Sequence, residues 1–130
     1  MKYRPASSRR EALRKRVRQL YEWYNERAWD KCFSLVDPKL RAQARCEKQA
    51  YADSLGRFME FHGKVQPWHL RINLHLDASS NKQDPRPFAY VYLVWQDEAC
   101  AFHMFRERWV EDGGRWFTRV VGLVANTKSA

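Results

Sequence analysis

Residues 101–123, AFHMFRERWVEDGGRWFTRVVGL, restrict the possible folds of this chain more than any other stretch. Two long runs of aromatic and β-branched residues flank Asp112-Gly113-Gly114. Asp-Gly between such runs is a strong short-range hairpin signal, because glycine accepts the positive φ that tight hairpin turns require. A two-stranded ribbon is marginal in water, and this one is too long and too aromatic to stand alone. A larger sheet and a covering layer must be built around it.

The preceding residues supply both. Residues 88–95 form an apolar run, turned back by Gln96-Asp97-Glu98 into a strand over 99–110 that pairs with 115–124. Upstream, Trp68, Leu70, Ile72, Leu74 and Leu76 alternate with His69, Arg71, Asn73 and His75, the period of a half-buried strand. Residues 78–87, rich in Ser, Asn, Asp and Pro, read as a loop. Before residue 63 the apolar period is 3.6. Ser8 and Glu11 have capping-box spacing ahead of a helical stripe of Leu13, Val17, Leu20, Tyr21 and Tyr24, ending near 26–28. A short helix over 29–36 is closed by Asp37-Pro38. A long helix over 39–62 buries Ala44, Tyr51, Leu55, Phe58, Met59 and His62, with Gly63 as its left-handed cap. The predicted fold class is α+β: three N-terminal helices packed on a curved, cone-like four-stranded antiparallel sheet, a single domain over 1–130 with flexible ends at 1–7 and 125–130.

Charge and cysteine content narrow the setting. The net charge is +9, but residues 1–20 hold eight basic side chains against Glu11, while the other 110 residues are nearly balanced. The basicity therefore belongs to the N-terminal helix, where Arg9, Arg10, Arg14, Lys15, Arg16 and Arg18 make a candidate polyanion-binding stripe. Nucleic acid is disfavoured as its partner, since neither a groove-reading motif nor an aromatic comb accompanies it. Cys32, Cys46 and Cys100 are odd in number and match no zinc or redox spacing, so they read as reduced, mostly buried residues. No apolar run is long enough for a membrane span, and the basic N-terminus lacks a signal-peptide core, which makes a cytoplasmic protein the expectation.

The order of elements carries a resemblance. Leu20-Tyr-Glu-Trp-Tyr-Asn25, Ala28-Trp-Asp30, Val36-Asp-Pro38, Glu107-Arg-Trp109, Gly114-Arg-Trp116 and Gly122-Leu123 resemble the nuclear transport factor 2-like (cystatin-like cone) superfamily, in its small polyketide-cyclase-like branch. The likeness spans nearly the whole chain, although the usual extra strand pair between the second and third helices is absent or very short. It implies a cone with an aromatic-lined pocket, and isomerase, dehydratase or cyclase chemistry in some members.

Hairpin pairing then assigns the faces. Pairing Trp109 with Trp116, Glu107 with Thr118, Phe105 with Val120 and His103 with Gly122, and bringing Tyr92 beside His103, gathers Tyr90, Tyr92, His103, Phe105, Glu107, Trp109, Trp116 and Thr118 on one face as a candidate ligand site. Leu93, Trp95, Phe102, Met104, Arg106, Arg108, Phe117 and Arg119 fall on the other. A one-residue slip reverses such assignments. A histidine and a carboxylate sharing an apolar pocket would perturb each other's pKa, so His103, Glu107 and Tyr92 are the candidate catalytic groups. His69 and His75, ~20 Å apart along a strand, read as solvent-facing, and His62 as a cation at a helix end. No metal ligand set or cofactor is expected.

The leading functional expectation is a non-catalytic domain binding a small apolar ligand or a partner peptide in the aromatic cavity. Two alternatives stand beside it: an enzyme using His103 as acid or base, and a basic module working through Arg9 to Arg18. Two apolar sheet faces and one helical layer also imply a homodimer joined through the second face.

Overall fold

The computed structural model describes residues 5–43, 46–77, 83–120 and 122. Ala44, one expected stripe residue, and the whole of the expected C-terminal tail lie outside them. The architecture is α+β, with helices in the N-terminal half followed by an antiparallel meander of strand order β1-β2-β3-β4. The helices are α1 (Ala6–Asn25), α2 (Trp29–Phe33), α3 (Pro38–Arg41) and α4 (Lys48–His62). The strands are β1 (Gln66–His75), β2 (Phe88–Gln96), β3 (Phe102–Asp112) and β4 (Arg115–Thr118).

The helical layer departs from the sequence expectation at its joints. The capping box does not form: α1 starts two residues before Ser8, with Pro5 at the cap position, and the Ser8 hydroxyl donates back to the Pro5 carbonyl (3.0 Å). The expected helix over 39–62 is two helices. The Asp37 side chain caps α3 by accepting from the Lys39 amide (3.1 Å), and the Arg41 Nε donates to the Val36 carbonyl (2.8 Å), so this single turn is fixed to the sheet rather than to α4. Val36 bridges to Thr118 in parallel, through Asp37 N to Thr118 O and Thr118 N to Leu35 O, both 2.8 Å. At the end of α4, Gly63 has φ 74° and ψ −150°. This is a region open essentially to glycine alone, not the left-handed helical cap the sequence suggested.

Two hairpins set the sheet's faces. In the β3–β4 turn Gly113 and Gly114 both take positive φ (59° and 80°), so Asp112 pairs with Arg115 across a two-residue loop. Trp109 therefore pairs with Thr118 and Glu111 with Trp116, a shift of two from the expected register that leaves every side chain on its expected face. The β2–β3 connection differs by an odd number. Asp97 closes it: its amide donates to the Ala101 carbonyl (3.0 Å), its Oδ1 accepts from the Ala101 amide (2.9 Å), and Cys100 takes φ 67°. Trp95 then pairs with His103 and Tyr92 with Arg106, which reverses β2. Val91, Leu93 and Trp95 face the helices and are essentially fully buried, whereas Tyr90 and Tyr92 point to the open face. Burial decides this register, because it places a leucine and a tryptophan in the core and leaves two phenolic hydroxyls toward water.

The core lies between the inner sheet face and the helices: Leu13, Val17, Tyr21 and Tyr24 of α1, Tyr51, Leu55 and Phe58 of α4, and Leu93, Trp95, Trp109 and Trp116 of the strands. Asn25 clamps the end of α1 to the start of β1, giving Nδ2–H to the Val65 carbonyl and accepting the Val65 amide, both at 2.8 Å. Among the described residues no helix is long and apolar enough to cross a membrane.

Candidate functional site

The expected pocket residues separate into three places. The first is the interior below α1. Glu107 and Thr118 are buried there with Trp109 and Trp116. Tyr21 Oη donates to Glu107 Oε2, and Trp109 Nε1–H donates to Oε1 at 3.0 Å. Burial pushes the Glu107 carboxyl up from its ordinary value, although both donors oppose the shift. Burial, and then the neighbouring carboxylate, push the Tyr21 phenol up as well. The space left beside them, lined by Leu20, Tyr24, Tyr51, Leu55, Val120 and Gly122, measures about 10 Å³. That volume suits one water and excludes a substrate. Side chains fill the expected cavity.

The second place is the junction of α4 with the β2–β3 loop. His103 shares the inner face with Glu107 but lies four residues along the strand, ~13 Å away. Phe105 sits between them, stacked on Tyr21 (5.8 Å) and Trp95 (4.8 Å). The two candidate catalytic groups therefore cannot exchange a proton directly. His103 Nε2 instead meets Asp97 Oδ2 at 2.7 Å, and His62 Nδ1 stands 3.7 Å from that same oxygen. Burial, then His103, lower the pKa of His62, so the expected cation at this helix end is disfavoured. Burial alone would raise Asp97, but His103 and backbone amides bring it below its ordinary value. Sequence reasoning missed this cluster because its members come from a helix end, a loop and a strand.

The third place is the open sheet face. Arg71 lies over the Tyr92 ring (4.6 Å), Arg106 over Tyr90 (4.7 Å) and Arg108 over Phe88 (4.3 Å), while His75 stacks flat on Phe88 (4.7 Å). The expected pocket tyrosines are thus covered by guanidinium groups on the far side of the sheet from His103 and Glu107. At one end of this face Trp68, Phe102 and Met104 are 60%, 57% and 62% exposed, with the Trp68 and Phe102 rings 5.4 Å apart.

The basic stripe of α1 does not survive as a unit. Arg9 is paired with Glu111, Arg14 donates to the Leu70 carbonyl (3.2 Å), and Arg16 donates to the Trp116 carbonyl (2.9 Å) and lies over Phe117 (5.1 Å). These three fold back on the sheet, whereas Lys15 and Arg18 are exposed. Arg18 instead helps to line a groove of about 290 Å³ between α1 and β1, with Val17, Tyr21, Glu22, Asn25, Pro67, Trp68, His69, Leu70 and Leu93. Of the cysteines, Cys32 is buried and pushed up to about 12 by that burial, but Cys100 is exposed, against expectation.

No family model, curated protein or solved structure matches this chain.

Proposed function

We propose that the chain is a non-catalytic binding domain of the nuclear transport factor 2-like kind, and that it takes a small, mainly apolar molecule with an anionic end in the groove between α1 and β1. One observation carries the reading. The interior space beside Glu107 is about 10 Å³, whereas the α1–β1 groove is about 290 Å³, near the lower end of the ~300–1,000 Å³ usual for small-molecule sites. Val17, Leu70 and Leu93 supply apolar contact, Arg18 supplies a positive group for the anionic end, and Glu22 and His69 complete the polar lining. The kinship rests on the succession of helices and a four-stranded meander. The groove lies on the flank of the domain, while Tyr21, Phe105 and Trp109 occupy the interior.

Amide chemical-shift mapping with medium-chain fatty acids and aromatic carboxylates tests this reading. Shifts clustered on Val17, Arg18, Trp68 and Leu70 are expected, and Leu70→Trp should abolish them by filling the groove. Shifts spread over the surface, or none at millimolar ligand, refute it.

A second reading concerns assembly, favoured by the exposure of Trp68, Phe102 and Met104 on the open face. Patches of this kind mark association surfaces, and the reading is a homodimer packed sheet on sheet, with Arg71, Arg106 and Arg108 as rim groups. Sedimentation should then give a dimer that Met104→Glu converts to a monomer; a monomeric native chain at 100 µM, a concentration of about 10⁻⁴ M where weak dimers still form, would end this reading.

A further inference from the structure

The cluster at the end of α4 goes beyond either reading. His62 is the last residue of its helix, Gly63 follows it with φ 74° and ψ −150°, and the imidazole lies beside the β2–β3 loop. The Glu98 amide donates to the His62 carbonyl (3.3 Å), tying that loop to the helix end. Asp97 is held by its own loop: Oδ1 accepts from the Ala101 amide, which turns Oδ2 toward both imidazoles. His103 is oriented by stacking on Trp95, with centroids 4.4 Å apart, and the His62 and His103 rings are 4.9 Å apart at 71°.

One donor atom from each side chain lies within 4.8 Å of the other two. A metal held at ~2.0–2.1 Å by tetrahedral ligands needs ligand atoms ~3.3 Å apart. The two separations from Asp97 Oδ2, 2.7 and 3.7 Å, straddle that value. The His62 and His103 donor atoms lie within 4.8 Å of each other, so closing round an ion requires the two imidazoles to draw together. At 3.7 Å the His62 contact is too long for a hydrogen bond, so a shared proton does not account for all three groups converging. His62 and Asp97 side chains are each 8% exposed and His103 is 32% exposed, so the ligands are sheltered while an ion can enter from the His103 side.

We propose that His62, Asp97 and His103 form a binding site for a divalent transition-metal ion, with Zn²⁺ as the best match. Two imidazoles and a carboxylate are a borderline donor set that suits zinc and its neighbours over calcium or magnesium, which prefer oxygen ligands. Three protein ligands leave one tetrahedral position for water or a ligand. The ion would pin the C-terminus of α4 to the β2–β3 loop. Phe58, which touches His62 (4.6 Å), and Trp95 would form the apolar wall behind it.

The test uses tag-free full-length chain, stripped with a chelator and titrated with Zn²⁺ against a chromophoric competitor, and in parallel with Co²⁺ followed by visible absorption. The expected result is one ion per chain with micromolar or tighter affinity, a Co²⁺ spectrum of low coordination number, and a rise in Tm on adding Zn²⁺. His62→Ala and His103→Ala should each weaken binding at least about 100-fold, beyond the ~10–100-fold seen for outer-shell changes. His103→Gln serves if the alanine variant does not fold, as judged by circular dichroism without metal. Cys100→Ser should leave affinity unchanged. No saturable binding up to about 1 mM Zn²⁺, retention in both histidine variants, or loss in Cys100→Ser overturns the proposal.

Discussion

Asp37→Ala is the most informative single change for the fold. The carboxylate is fully buried and receives Arg86 through both guanidinium ends (2.7 and 2.8 Å), Arg119 (2.7 Å) and the Lys39 amide (3.1 Å). Removing one member of a buried ion pair costs ~3–5 kcal/mol. The lower end applies here. Arg86 keeps Asp84 (2.8 Å) and Asp112 (3.0 Å), and Arg119 is about one-third exposed and can return to water. The acidity of the carboxyl gives a second figure from the same contacts. Burial alone would raise the Asp37 carboxyl, but Arg86 and Arg119 bring it to about 2. Against ~3.9 in the unfolded chain, that depression is worth about 2.6 kcal/mol at neutral pH. Both routes converge on roughly 3 kcal/mol, or a Tm loss of about 10 °C for a chain of this length. The sign follows from the lowered folded pKa: the contribution is present above the unfolded value near 4 and is lost as pH falls through 2. Urea unfolding of both proteins at pH 7 and pH 2.5 should therefore give a difference of ~3 kcal/mol shrinking to ~1. A pH 7 difference below ~1 kcal/mol, or one that does not change with pH, would mean that the Asp37 ion pairs do not carry this stability.

Three further outcomes are expected. Burial raises the Glu107 pKa, so its contribution is fully present below the unfolded value near ~4.3 and fades as pH rises through the folded one. Glu107→Gln should thus gain stability relative to the native chain as pH rises above ~4.3, and an advantage flat with pH contradicts this. Gly63→Ala should lose ~1–3 kcal/mol in thermal melts, because its φ of 74° with ψ −150° strains any side chain and the new methyl meets the Glu98 carboxylate. If relief of that contact by Glu98→Ala fully restored stability, backbone strain would not be the cause. Leu93→Ala should cost ~2–5 kcal/mol and Tyr92→Ala only about 1 kcal/mol, since Leu93 is in the core while Tyr92 loses mainly its contact with Arg71. The reverse order in chemical denaturation would mean that the β2–β3 register is wrong.

Local signals sufficed for the fold class. Alternation from Trp68 to Leu76, the helical stripe from Leu13 to Tyr24 and the Gly113-Gly114 turn each depend on a few neighbouring residues, and the observed elements follow them, except that a register shift between Pro67 and His69 leaves Trp68 exposed rather than inward. Even the mistaken β3–β4 register kept Glu107, Trp109, Trp116 and Thr118 on one face, because an error of two residues matches the period of a strand. What local patterning cannot contain is the parity of a longer turn. β2 is apolar on both sides, so its own sequence does not say which side is inward. The choice was made by Asp97 closing a loop through Ala101 and by the burial of Leu93 and Trp95 against the helices. That single decision moved Tyr90 and Tyr92 away from His103. The filled interior and the meeting of His62 with Asp97 and His103 are likewise consequences of packing between elements 35 or more residues apart. Volume and distance are properties of the assembled chain, and periodicity along the sequence carries neither.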